Sequence, residues 1–300
     1  MWLTALLSAA MTASTAPAPA SLSPCHIPLP QGTAAEAPAL VRAGCNEHRR
    51  WHGGFIDRDG RPAHIAVTEA ENSMLADDGL RAWQQVARYW QGSGTLAQTR
   101  AHPGQQACQT PSDDSPVNQA LCRSFLLDTP WSAAFISWLM RSAGINDFPA
   151  SAAHLDYIQS AHAGRGPYTL ADPRQVRIRP GDLVCHLRGN TQAHDHGQLV
   201  QALAQGRTAG WQSHCDLVVA SNPGGNRTAY AIGGNVLNAV TMRLLPIDER
   251  GALATPAPID DSQCGVANPA ACNLNQRHWV ALLQLRQQPP PVVTPEPGNP

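Results

Sequence analysis

The chain reads as an α+β domain in which helices come first and a mainly antiparallel sheet of about five strands follows. Three observations support this. Apolar residues recur at helical spacing up to about residue 158, the pattern switches to alternation after residue 176, and the turn Asn222-Pro223-Gly224-Gly225-Asn226 folds one strand back on another. A chain of 300 residues with 43 % apolar content can bury a normal core. Its net charge of −1 gives no reason to expect a nucleic-acid partner.

Met1 to Ala20 holds an apolar stretch, Trp2 to Ala10, then Ala, Ser, Thr and Pro residues, as a secretory signal does, but without a positively charged start. Residues 21–76 are rich in Pro, Gly and polar side chains and read as an N-terminal extension stapled by its own cysteines. The main domain spans 77–288. Residues 289–300 are proline-rich and read as an extended tail. With that signal removed no run is long enough to span a membrane, so the protein is expected to be secreted or periplasmic. Eight cysteines agree with export. Proximity along the chain pairs Cys25 with Cys45, Cys108 with Cys122 and Cys264 with Cys272, which leaves Cys185 and Cys215 on two strands. No Cys-x-x-Cys pair points to a metal.

Within the domain, Leu80, Trp83, Val86, Ala87 and Trp90 place a helix over Asp77–Gln91, closed by Gly92. Gly92 to Ala120 reads as a long polar loop. Thr129 and Pro130 suit the cap and first turn of the next helix, whose apolar face is Ala134, Phe135, Trp138 and Leu139. Ser151 caps a third helix through His154, Tyr157 and Ile158. Val176 and Ile178 lead through Arg179-Pro180-Gly181-Asp182 into the strand Leu183–Leu187. His194-Asp195-His196 reads as a solvated loop. In the strand His214–Ala220, Cys215, Leu217 and Val219 face one way and His214, Asp216 and Val218 the other. Thr228–Ile232, Val240–Leu245 and Trp279–Leu285 complete the sheet.

Ser132 falls in the first turn of its helix, where free backbone N–H groups and the helix dipole favour developing negative charge. A serine hydroxyl needs a base within hydrogen-bond reach. His214 can supply it, and Asn235 can hold the other imidazole nitrogen as the third member of a triad does. Asp216, on the same strand face as His214, is the alternative orienter. Trp131 and His154 lie where they can contact a substrate. No phosphate loop or dinucleotide fingerprint is present.

The order of a Trp-Ser-Ala-Ala-Phe helix, a Pro-Gly-Asp turn, a His-led strand and a Gly-Gly-Asn strand resembles the CHAP and NlpC-type papain-like amidases of bacteria. Most closely it resembles a secreted bacterial family, domain of unknown function 2272, over about Asp77 to Arg286. In the amidases the position of Ser132 is a cysteine. The resemblance implies a papain-like amidase fold and catalysis by Ser132, His214 and Asn235 as nucleophile, base and orienter. It further implies a substrate in cell-wall peptide or a related amide or ester, with no cofactor. The other reading is a non-catalytic peptidoglycan-binding or envelope scaffold protein that has lost the cysteine nucleophile.

Overall fold

A computed structural model describes residues 23–76, 79–99, 102–111, 115–189, 193–254, 264–269 and 272–287. The signal-like start and the proline-rich tail lie outside the described residues. The protein is α+β, with six α-helices and one eight-stranded, mixed, open sheet among the described residues.

The strands are β1 Phe55–Ile56, β2 Pro62–Ala63, β3 Tyr168–Ala171, β4 Leu183–Arg188, β5 Gln212–Ser221, β6 Thr228–Val236, β7 Ala239–Pro246 and β8 Trp279–Leu285. They lie in the order β2-β1-β7-β6-β5-β4-β8-β3, with β1 parallel to β7 and the other neighbours antiparallel. Eight strands replace the five expected because β1, β2 and β3 are too short to leave a period-two signal, and Val176 and Ile178 precede β4 without forming a strand. The turn joining β6 to β7 places Leu237 and Asn238 at φ of 56° and 59°. Positive φ at both central residues is what a tight hairpin of matching twist requires. The Arg179–Asp182 turn is held by its own carboxylate, which accepts from Arg179 N at 2.8 Å and from Leu285 N at 3.0 Å. Burial lifts the Asp182 carboxyl to about 7 despite those two bonds.

The helices are α1 Ala37–Arg50, α2 Ala82–Ser93, α3 Pro116–Asp128, α4 Ser132–Ser142, α5 His154–His162 and α6 His196–Ala204. Three of them depart from the sequence expectation. The first, α1, comes from the segment read as an extension; its buried Ala37, Leu40, Val41, Gly44 and Cys45 follow helical spacing. A Cβ on Gly44 would stand 2.9 Å from a Leu217 methyl, so the glycine lets α1 lie close on β5. The second, α3, occupies part of the expected loop, with Ser115 as cap and Pro116 in its first turn. The third, α6, starts where a solvated loop was expected: the Asp195 carboxylate accepts from Gln198 N at 2.8 Å, and His196 Nδ1 bonds the Val280 carbonyl. Gly92 does not close α2. It lies inside the helix, where a Cβ would meet Trp138 at 2.6 Å, and Gly94 at φ 73° is the cap.

Helices α1, α4 and α5 pack on one face of the sheet around Leu183, Leu217, Val219 and Ile232, and α2 packs against α4. On the other face Val184, Val218, Ala231, Leu245, Trp279 and Leu282 form a smaller core. The strand alternation read from sequence in β5 therefore matches the two faces.

All four cysteine pairs are disulfides. Cys185 and Cys215 are register partners on β4 and β5, with Cα atoms 4.1 Å apart, and lie in the helix-side core. Their sequence separation of 30 residues leads to an expected contribution of about 3–4 kcal/mol from restricting the unfolded chain. Urea unfolding of the Cys185→Ala/Cys215→Ala protein should show a loss of that size. An unchanged midpoint would show that the sheet holds this strand pair without the bridge.

Candidate active site

The site begins at a sharp joint in the chain. Pro130 restricts the residue before it to extended backbone, and Thr129 has φ −121° and ψ 110°, so α3 ends there. Trp131 rather than Thr129 is the N-cap of α4, which makes Ser132 its first residue. Expected at the substrate, Trp131 is instead fully buried, stacked on Trp51 and Tyr89 with ring centroids 5.8 and 5.6 Å away. Its indole Nε1 donates to Glu69 Oε2 at 2.9 Å. Burial raises the Glu69 pKa, partly offset by this bond. The Asn235 amide completes the arrangement: its NH2 donates to Glu69 Oε2 at 3.0 Å and its oxygen accepts from Trp131 N at 3.2 Å. Asn235 therefore holds the start of α4 rather than an imidazole.

Ser132 is 5 % exposed. Its Oγ is 2.9 Å from Nε2 of His154, at the start of α5. Ser151 lies before α5, accepting from Ala153 N at 3.0 Å and donating to Asp156. Tyr157, one turn along, ties α5 to α4 through Ser137 Oγ at 2.6 Å and the Ala133 carbonyl at 2.7 Å. His154 is held well below the usual imidazole range, first by burial and then by the charge of His214, so it is neutral near pH 7. Its Nδ1 is buried with no hydrogen-bond partner. An orphaned N–H is costlier than an orphaned lone pair, which places the proton on Nε2. In that tautomer His154 donates to Ser132 Oγ and leaves the serine hydroxyl proton for another acceptor.

The next imidazole is that of His214, 5.2 Å from His154 between ring centroids. His214 Nε2 bonds Asp216 Oδ1 at 2.7 Å, and Nδ1 makes no hydrogen bond among the described residues. Residues two apart on β5 thus meet directly. Asp216 is completely buried. Burial alone would raise its carboxyl, but the charge and hydrogen bond of His214, then Arg243 and His186, bring it down to about 2. Arg243 of β7 places Nε 3.2 Å from Asp216 Oδ2, an ion-pair distance off the line of a hydrogen bond. Its Nη1 donates to the Leu274 carbonyl at 2.8 Å. His186 is the cross-strand register partner of His214, with rings 5.4 Å apart. Burial first and the His214 charge second push His186 well down as well. The Gly233-Gly234 pair has a steric origin. A Cβ on Gly233 would fall 1.8 Å from Asp216 Oδ1, and one on Gly234 would fall 2.6 Å from Phe135 of α4.

The structure brings Ser132 together with His154, and His214 together with Asp216; Asn235 joins Trp131 and Glu69. Arg243 escaped the sequence reading, although a lone arginine in the apolar strand Val240–Leu245 was the available signal. Among the described residues no group of three or more His, Cys, Asp or Glu side chains is placed to hold a metal ion.

A bacterial family described as uncharacterised protein conserved in bacteria, DUF2272, matches residues 77–285. The chain belongs to this family. Searches of curated proteins and of solved structures give no match. The stretch shared with DUF2272 contains Ser132, His154, His214, Asp216, Asn235 and Arg243, whereas Trp51 and Glu69, which hold Trp131, lie before it.

A cleft of about 520 Å³ opens beside the site, with His186, His214, Asn235 and Arg243 among its lining residues. The Asp216 carboxylate supports folding because its folded pKa of about 2 lies below the ordinary aspartate value of 3.8. That stability is fully present above pH 3.8 and is lost as pH falls through 2. At roughly 1.4 kcal/mol per unit the shift corresponds to about 2 kcal/mol. Urea unfolding of wild type and Asp216→Asn between pH 7 and pH 2 should therefore show a gap of about that size near neutrality that closes on acidification. A gap independent of pH would mean that the carboxylate is not held ionised.

Proposed function

We propose that this DUF2272 protein is a secreted or periplasmic hydrolase-like protein of papain-like arrangement that acts on cell-wall peptide or a related amide or ester. The observation that carries the reading is the buried His214–Asp216 pair, with Nε2 engaged at 2.7 Å and Nδ1 left without a partner among the described residues. An imidazole oriented at one nitrogen by a carboxylate and open at the other is suited to general-base work. In this reading Ser132 Oγ attacks the carbonyl carbon and its proton passes to His214 Nδ1. Backbone N–H groups at the start of α4 face the oxyanion, and the proton then moves from His214 to the leaving group. Asp216 takes the orienting role that the family resemblance assigned to Asn235. His154 positions the serine oxygen by donating to it.

Four disulfides fit an oxidising compartment, and no helix among the described residues is long and apolar enough to cross a membrane. A second reading, a binding or scaffold protein without turnover, is favoured by one feature: Ser132 is only 5 % exposed and its oxygen is held by His154 rather than His214.

The substitution Ser132→Cys separates the two. The helix start favours a thiolate and His214 can take its proton. Alkylation of Ser132→Cys, followed against pH, should therefore titrate well below the ordinary thiol value of about 8.5, and adding His214→Ala should move the profile back up. Wild type should release products from peptidoglycan fragments and Ser132→Ala should not. A perturbed thiol with an inert wild type would support the binding reading. An ordinary thiol that ignores His214 would remove the site altogether.

A further inference from the structure

The His194-Asp195-His196 segment takes no part in the site at Ser132, yet the fold gives its first histidine a partner. His194 Nδ1 lies 3.3 Å from Nε2 of His278, 84 residues further along the chain. The two rings are tilted by 51° with centroids 4.5 Å apart, so they meet through their nitrogens rather than face to face. Both backbones are anchored. The His194 N–H donates to Gln198 Oε1 at 2.7 Å, and Asp195 caps α6 by accepting from Gln198 N at 2.8 Å. His196 Nδ1 donates to the Val280 carbonyl at 2.8 Å, which ties the start of α6 to β8 two residues from His278. The His278 carbonyl in turn accepts from Leu187 N of β4 at 3.2 Å. His194 is exposed and His278 half-buried, so the pair is open to an ion from solvent.

The separation of the two nitrogens decides between two chemistries. A hydrogen bond from a ring N–H usually closes to about 2.7–3.2 Å. Two imidazole nitrogens bound at about 2.0–2.1 Å to one tetrahedral ion stand about 3.3–3.4 Å apart, whereas right-angled octahedral ligands at that range stand about 2.9 Å apart. We propose that His194 Nδ1 and His278 Nε2 form a two-imidazole site for Zn²⁺. Imidazole nitrogen suits this borderline ion, while Mg²⁺ and Ca²⁺ take oxygen. Each ring binds through a lone pair and keeps its proton on the far nitrogen, Nε2 of His194 and Nδ1 of His278. Among the described residues no third His, Cys, Asp or Glu joins the pair, so two positions of the tetrahedron are left for water or for an oxygen of a bound molecule. His278 also belongs to the wall of the cleft that His214 lines, which puts the ion at the edge of that cleft. The site is separate from Ser132 and needs no turnover.

The test is calorimetric titration of the untagged, oxidised, full-length chain with zinc chloride and with magnesium chloride. Zn²⁺ should bind and Mg²⁺ should not. His194→Gln keeps a group that can hydrogen-bond His278 but removes the ligating nitrogen. It and His278→Gln should each weaken Zn²⁺ binding by about tenfold or more, with an unchanged melting temperature in metal-free buffer. Zn²⁺ binding indifferent to both changes, or Mg²⁺ binding as tightly as Zn²⁺, overturns the proposal. If His278→Gln lowers the melting temperature, His194→Gln, at an exposed residue ahead of α6, decides the matter alone. Co²⁺ in place of Zn²⁺ should show the strong visible absorption of a tetrahedral ion, lost in His194→Gln; the weak absorption of an octahedral ion overturns the proposed geometry. Ser132→Ala should bind Zn²⁺ as wild type does. Loss of binding there would overturn the assignment to His194 and His278 and place the ion at the serine.

Discussion

A carboxylate with no access to water, Asp216, sets the terms for the middle of this sheet. An isolated ion there would be far too costly, so every neighbour is chosen to compensate it. His214 supplies a hydrogen bond from the same strand, Arg243 a charge from β7, and Gly233 the empty volume that the carboxylate fills. Because side chains alternate along β5, committing His214 and Asp216 to one face sends Cys215 to the other, where it bridges to Cys185 under the helices. The bridge and the ion pair thus brace the same strand from opposite sides.

The helix that presents Ser132 depends on a different constraint. Its first turn has no side-chain cap. The work falls to Trp131, clamped between aromatic rings and bound to Glu69, and to Asn235, which bonds both Glu69 and the Trp131 backbone. Glu69 and Trp51 come from the N-terminal part of the chain, ahead of the stretch that defines the family. The segment before residue 77 is therefore structural for the site, since α1 lies against α4 and β5 and Trp51 lies against Trp131.

The imidazoles of His154, which meets Ser132, and of His214, which lies next to His154, have different electrostatic surroundings. His154 is buried and faces the charge of His214, and these two effects keep it neutral. His214 sits against a carboxylate held ionised at a pKa of about 2. In the proposed reading the first ring fixes the serine oxygen and the second receives a proton. The cleft beside His214 meets the same charge, since Arg243, which balances Asp216 inside, also lines it.

Sequence alone determined the α+β class, the nature of β4 to β8, the four cysteine pairs and the existence of the Ser132 helix. Each of these is written in local periodicity, in turn residues or in chain proximity, which act over a few residues. It understated α1 because, apart from Leu40 and Val41, the buried positions there are Ala37, Gly44, Cys45 and Glu47, which pack in the core but weigh little as apolar signal. It understated β1 to β3 because strands of two to four residues have no measurable period. Which histidine meets Ser132, and which residue orients His214, was settled only by tertiary structure. Those partners come from α5, β5, β6 and β7, and a bulge in β6 beside Gly233 and a left-handed residue at Asn235 redirect side chains that a regular strand would have aimed elsewhere. Hydrogen bonds of 2.7 and 2.9 Å depend on displacements of a fraction of an ångström, and only the packed core fixes positions that finely.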